Sequence, residues 1–308
     1  MLALVPHVQR PKPKRRAPRV VIQPRDVAFF ELLATFRLAT LPDLYPHLRE
    51  HFPRPLLLWR RAAVLTGAHY LVRPPEQHLR LFKKRGNPPH IYALGTKAAE
   101  LLCSRGWDLP RVDFDAKAKA WRAHTLDHRL AATHVLSTLL LGAAERGNFD
   151  TLAVFPDGDF TDTTVFYEDG AAVELPIRPD ATLALHDQTT AERLALFVEI
   201  DQGTEPLTRR SLAQSSYRKK VLAYLSYFHE PDRFAPILHA RTFAVLNVTD
   251  TPARADALRT VAARATDDPD ALNLFWFATT SSFSLDAPAA SLSAPIWTTA
   301  AGTEGALF

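Results

Sequence analysis

From Asp26 the apolar residues Val27, Phe30, Leu33, Ala34 and Phe36 recur at spacings of three and four, the period of an amphipathic helix, and Asp26 is placed as its N-cap. Thr40 then caps a short second helix through Leu44 and Leu48. A third helix is predicted over residues 53–66, with Leu56, Leu57, Ala63, Val64 and Leu65 as apolar positions, Arg54, Arg60 and Arg61 among the polar ones, and Gly67 as its stop. The pattern turns extended over 69–73 and 79–82, passes a cationic tip at 83–89 and returns over 90–94, after which Thr96 caps a helix to about residue 105. Three helices, a hairpin and a closing helix predict a winged helix-turn-helix over residues 25–110.

Residues 107–118 read as a linker, and a long helix follows over about 119–146. Extended segments are expected at 151–155, 171–175, 179–185 and 194–201, a helix at 207–228, a strand at 242–248, a helix at 253–265 and a strand at 273–278. That order predicts an α/β domain over 119–280, a mixed sheet covered by helices. The last stretch, 281–308, is rich in Ala, Ser and Thr and reads as a poorly ordered tail.

Charge sharpens the division. Residues 1–123 hold 23 Lys/Arg against 9 Asp/Glu, a balance of +14, whereas residues 124–308 hold 14 against 24, or −10. The first half is suited to meet a polyanion. Residues 1–24 carry closely spaced prolines and cations over 11–19 and read as a disordered basic arm. A single cysteine, Cys103, leaves no disulfide framework or cysteine-based zinc site. No apolar run approaches the ~18 residues of a membrane span, and no signal peptide is visible, so a soluble, cytoplasmic protein is expected.

These features point to double-stranded DNA as the partner. The third helix has the width of the major groove, with Arg54, Arg60 and Arg61 as contacts, while Lys83, Lys84 and Arg85 at the wing tip reach flanking phosphates. In the second half, Asp180 lies near the start of one expected strand and Glu199 with Asp201 near the end of the next. Two residues apart on a strand, Glu199 and Asp201 share a face. Together with Asp180 they make a set of carboxylates able to hold a hard divalent cation. His124 and His128 have the spacing of a helical metal pair but match no third ligand, so packing is the favoured reading of the histidines, including His134.

Several stretches together resemble one family: Ile91-Tyr-Ala-Leu-Gly-Thr-Lys-Ala-Ala-Glu-Leu-Leu102, His128-Arg-Leu-Ala, Arg178-Pro-Asp180 and Phe197-Val-Glu-Ile-Asp-Gln-Gly-Thr-Glu205. Over about residues 25–280 they look like the replication-relaxation proteins of bacterial plasmids and integrative elements. The resemblance implies a DNA-binding role in plasmid replication, relaxation or mobilisation, with other plasmid replication or mobilisation proteins as partners. The second half is also similar to the PD-(D/E)xK restriction-endonuclease-like fold, which implies Asp180 and Glu199 as ligands of a catalytic Mg²⁺. The sequence departs from that pattern where a lysine belongs, because Asp201 stands two residues beyond Glu199. Lys219 or Lys220 on the following helix is the substitute, although the run Arg218-Lys-Lys220 reads more readily as a solvated or phosphate-binding face. The favoured expectation is a DNA-binding protein with a degenerate nuclease-like domain. The alternatives are an active Mg²⁺-dependent endonuclease with Asp180, Glu199, Asp201 and Lys220 as its catalytic set, and a winged-helix transcription repressor.

Overall fold

The computed structural model describes residues 20–77, 88–109, 114–168 and 170–308. The expectations placed on Lys83, Lys84 and Arg85, and on the side chain of His124, fall outside the described residues. No helix among the described residues is long and apolar enough to cross a membrane.

The N-terminal unit follows the predicted period. Helix α1 (Pro24–Phe36) buries Phe29, Phe30, Leu33 and Phe36. Its cap is Gln23 and not Asp26: with Pro24 opening the helix, Asp26 falls at the third helical position and accepts the Gln23 backbone N–H at 2.7 Å. Strand β1 (Leu38–Thr40) leads into α2 (Leu41–Leu44), capped by Thr40, and after a 3₁₀ turn at Pro46–Leu48 comes α3 (Pro55–Gly67). Strands β2 (Leu71–Val72) and β3 (Ile91–Leu94) complete a three-stranded antiparallel sheet ordered β1-β3-β2, and α4 (Thr96–Cys103) closes the unit.

The expected linker contains a helix, α5 (Phe114–Ala120), whose Ala118 packs with Trp121 against Leu38, Ile91 and Ala93. Helix α6 (Ala123–Arg146) is followed by β4 (Phe149–Phe155), the hairpin β5 (Asp162–Glu168) and β6 (Ala171–Ile177), β7 (Ala181–Asp187) and β8 (Glu192–Asp201). Then come α7 (Tyr217–Phe228), α8 (Pro231–Leu238), β9 (Phe243–Thr249), α9 (Pro252–Ala263), α10 (Pro269–Leu272) and β10 (Phe275–Thr279). Helix α7 starts ten residues later than the period predicts, where Ser216 accepts the Lys219 N–H and caps it. The chain ends with α11 (Ala290–Ser293), β11 (Trp297–Thr299) and β12 (Glu304–Gly305).

The main sheet is mixed and has seven strands in the order β12-β11-β10-β9-β8-β7-β4, with β8, β9 and β10 parallel and the remaining pairs antiparallel. The expected poorly ordered tail is therefore corrected: β11 and β12 extend the sheet, and Trp297 is fully buried with its indole N–H donating to the Ser291 carbonyl at 2.9 Å. Trp297 anchors it together with Leu292, Leu307 and Phe308, the last packing edge-to-face on Phe149.

The two halves share one core. A continuous buried cluster runs from Phe29, Phe30 and Leu44 through Val135, Leu136 and Leu139 of α6 to Leu183, Leu196 and Leu246 of the sheet and on to Trp297. Polar contacts reinforce the junction: Thr133 donates to the Leu38 carbonyl, His134 pairs with Asp43 at 2.9 Å, and His47 meets Ser137 at 2.8 Å. Arg37 adds an ion pair with Asp159 at 2.6 Å.

Candidate functional site

The site forms where β7 and β8 pair. Antiparallel register sets Ala181 opposite Val198, which brings Asp180 across from Glu199. Asp180 is fixed at both ends of its main-chain turn: its N–H donates to the Val198 carbonyl and its carboxylate Oδ2 accepts the Ile200 N–H at 2.8 Å. On β8 alternate residues divide the two cores, with Leu196 and Val198 facing the α6 side and Ala195 and Phe197 the α7 side. Glu199, 5% exposed, follows Phe197 toward α7.

Helix α7 supplies the cation. Tyr217, Lys220, Val221 and Tyr224 fall at helical spacings of three and four, so Lys220 lies on the stripe that packs on the sheet while Arg218 and Lys219 do not. Lys220 Nζ is 2.9 Å from Glu199 Oε2 and 3.3 Å from Glu205 Oε2, and the Tyr224 hydroxyl donates to Glu199 Oε1 at 2.5 Å. From the other side α6 contributes His128, whose Nε2 lies 2.8 Å from Asp180 Oδ1. Of the catalytic set considered from sequence, Asp180, Glu199 and Lys220 are thus brought together, and His128 and Tyr224 join them.

Asp201 is not brought to it. Although it shares a face with Glu199, α9 places Arg254 against it in a two-pronged ion pair at 2.8 and 2.9 Å, and it also accepts the Gly203 N–H. Its charge is consumed in holding the loop after β8, where Arg254 also donates to the Glu205 carbonyl.

The environment separates the two facing carboxyl groups. Burial acts to raise the pKa of Asp180, but the hydrogen bond and charge of His128, with Lys220 and the Ile200 N–H, outweigh it and hold Asp180 below the usual carboxylate range. Burial pushes Glu199 up, and the charge of Asp180 adds to this against the pull of Lys220 and Tyr224. Burial works against a charged Lys220, yet Glu199, Asp180 and Glu205 together raise its pKa. His128 is likewise opposed by burial and raised by Asp180. All four oxygens of Asp180 and Glu199 have protein donors, and no group of three or more metal-ligating side chains is assembled among the described residues.

Two clefts meet at this site. One of about 530 Å³ is lined by His128, Arg129, Asp157, Arg178, Asp180 and Gln202, and the other, of about 280 Å³, by Arg178, Glu199, Ser215, Lys219, Lys220 and Tyr224. Both fall near the size of small-ligand pockets, ~300–1,000 Å³.

The expected DNA contacts on α3 divide. Arg54 and Arg60 are exposed, but Arg61 is a correction: its guanidinium grips the fully buried Asp26 at 2.7 and 2.5 Å and donates to the Val21 carbonyl at 2.8 Å. The outward face of α3 is also more apolar than its arginines imply, with Leu56, Trp59 and Val64 exposed at 52%, 53% and 42%.

No curated protein and no solved structure matches this chain. Residues 31–235, about two thirds of the chain, match the family described as Replication-relaxation. This span contains α3, both facing carboxylates and Lys220. The chain belongs to the replication-relaxation family.

Proposed function

We propose that this protein binds double-stranded DNA of a plasmid or other mobile element through its N-terminal unit and cleaves a phosphodiester bond at Asp180, Glu199 and Lys220. The observation that carries the reading is the 2.9 Å contact between Lys220 Nζ and Glu199 Oε2. The lysine missing two residues beyond Glu199 is replaced, from the next helix, by one that reaches the same carboxylate. Facing carboxylates on neighbouring antiparallel strands are the placement that a PD-(D/E)xK-like nuclease requires, and the three helices with the β1-β3-β2 sheet support a winged helix.

Two carboxylates are the donor type of a Mg²⁺ site, in which water and substrate phosphate oxygens complete the shell, and to take the ion they would exchange protein donors such as His128 and Lys220 that engage their oxygens here. Asp180 and Glu199 would hold it, and the ion would supply Lewis-acid activation of the phosphate and of the attacking water. Lys220 contributes a charged donor for the developing charge on the phosphate. His128 and the Ile200 N–H fix the rotamer of Asp180, as Tyr224 fixes that of Glu199.

A second reading, a nuclease-like scaffold that only binds DNA, is favoured by the full engagement of the four carboxylate oxygens by protein donors. Incubation of supercoiled plasmid with the purified protein and Mg²⁺ or Mn²⁺ separates the two. Nicking by the wild type, absent from Asp180→Ala/Glu199→Ala and from Lys220→Met, supports the nuclease. Retained salt-sensitive DNA binding without cleavage by the wild type supports the scaffold.

A further inference from the structure

The cations lining the two clefts fall into two groups. Arg129 is paired with Asp157, His128 with Asp180, and Lys220 with Glu199 and Glu205. Arg178 and Lys219 have no ion pair or side-chain hydrogen bond among the described residues. Arg178 is also the residue that lines both clefts.

Its position is built by the backbone. Arg178 and Pro179 lead from β6 into Asp180, so the guanidinium is carried two residues from the carboxylate. Beneath it runs Gly158, held by its N–H on the Asp180 carbonyl at 3.0 Å and in a left-handed conformation, φ +68°. A β-carbon at Gly158 would stand 3.1 Å from Arg178 Nε, so the glycine leaves room for the arginine to lie across the turn between the clefts.

A guanidinium presents five donors in a planar fork matched to phosphate oxygens, and its pairing energy is unspent within the protein. We propose that Arg178 is the DNA-phosphate contact shared by the two clefts, gripping the backbone beside Asp180 and Glu199, with Lys219 continuing the contact into the smaller cleft. The proposal rests on the DNA-acting reading above. Arg178 acts as a positioning residue for the strand that crosses the site, whereas Arg129 is already paired with Asp157 and Lys220 with Glu199 and Glu205.

The test is anisotropy of fluorescein-labelled DNA, single-stranded and duplex, over a salt series in EDTA so that no cleavage intervenes. Arg178→Gln, Arg178→Lys, Arg178→Gln/Lys219→Gln and the charge-matched control Arg264→Gln, an exposed residue capping the C-terminus of α9, are compared. Arg178→Gln is expected to weaken binding about tenfold and to lower the slope of log K against log salt by roughly 0.7–0.9, the share of one phosphate contact. Arg178→Lys should keep the slope and recover part of the affinity, and the double variant should lower the slope further. Unchanged affinity and slope in Arg178→Gln, or an equal loss in Arg264→Gln, overturns the assignment while leaving DNA binding intact. Absence of salt-dependent binding by the wild type removes the DNA-acting reading itself, and Arg178 with it.

Discussion

Arg61 and Arg60 are neighbours in sequence, one gripping a buried carboxylate and the other exposed, and truncating each tests the fold against the proposed DNA surface. Asp26 is fully buried, and its carboxylate is held by two guanidinium contacts from Arg61 and by the Gln23 N–H. Arg61→Ala removes the countercharge and strands a carboxylate in the core of the N-terminal unit. Breaking one side of a buried pair typically costs about 3–5 kcal/mol. The Arg61 side chain is 15% exposed, so water can enter the space it leaves, and the lower end, about 3 kcal/mol, applies. At a urea dependence of ~3 kcal/mol per molar, the unfolding midpoint falls by about 1 M. Tryptophan fluorescence can follow it. Arg60→Ala leaves the midpoint unchanged and weakens DNA binding. In the cycle with Asp26→Asn, the double variant is less destabilised than the sum of the singles. An unaltered midpoint in Arg61→Ala, accompanied by weakened DNA binding, would refute the structural assignment and return Arg61 to the DNA surface.

Two further outcomes follow from the packing. Alanine in a helix interior normally gains ~0.5–1 kcal/mol over glycine, but Gly142→Ala in α6 would place a β-carbon 2.6 Å from the Pro288 carbonyl oxygen, so a loss of ~1–3 kcal/mol is expected; a raised melting temperature would show that the C-terminal segment does not rest there. Burial lowers the pKa of His47 from 6.5 to about 4 against the pull of Asp43, so the unfolded chain takes up the proton first as pH falls. Stability from this residue is complete above about pH 6.5 and is lost toward pH 4, on the order of 2–3 kcal/mol, and chemical denaturation of His47→Gln across that window should show a flatter pH dependence than the wild type; an equal slope would remove His47 as the cause.

Much of this arrangement is legible in the sequence because it is periodic. The stripe of α1, the apolar run of β8 and the pairing of successive strands suffice to bring Asp180 across from Glu199. Lys220 is legible too, given its place on a stripe with Tyr217, Val221 and Tyr224, a pattern obscured by the two cations beside it. What sequence does not convey is partnership between distant residues. Asp201 meets an arginine 53 positions later, and Arg61 meets Asp26 from a different helix. Either charge, read locally, is as suited to a ligand as to a fold. The final strands were hidden for another reason: their composition is that of a loop, and the apolar area that docks them is spread over a few separated residues, Trp297 with Leu292, Leu307 and Phe308.

The core that runs unbroken from α1 through α6 into the sheet has a geometric consequence. Two domains joined by a tether sample many separations, and a cut made by one can wander relative to the sequence held by the other. Here α6 is a common beam, packed on the N-terminal unit along one part of its length and on the sheet along another, and carrying His128 at the site itself. Under the proposed function the protein therefore acts as a ruler, in which the number of base pairs between the site that is read and the bond that is attacked is a constant of the fold.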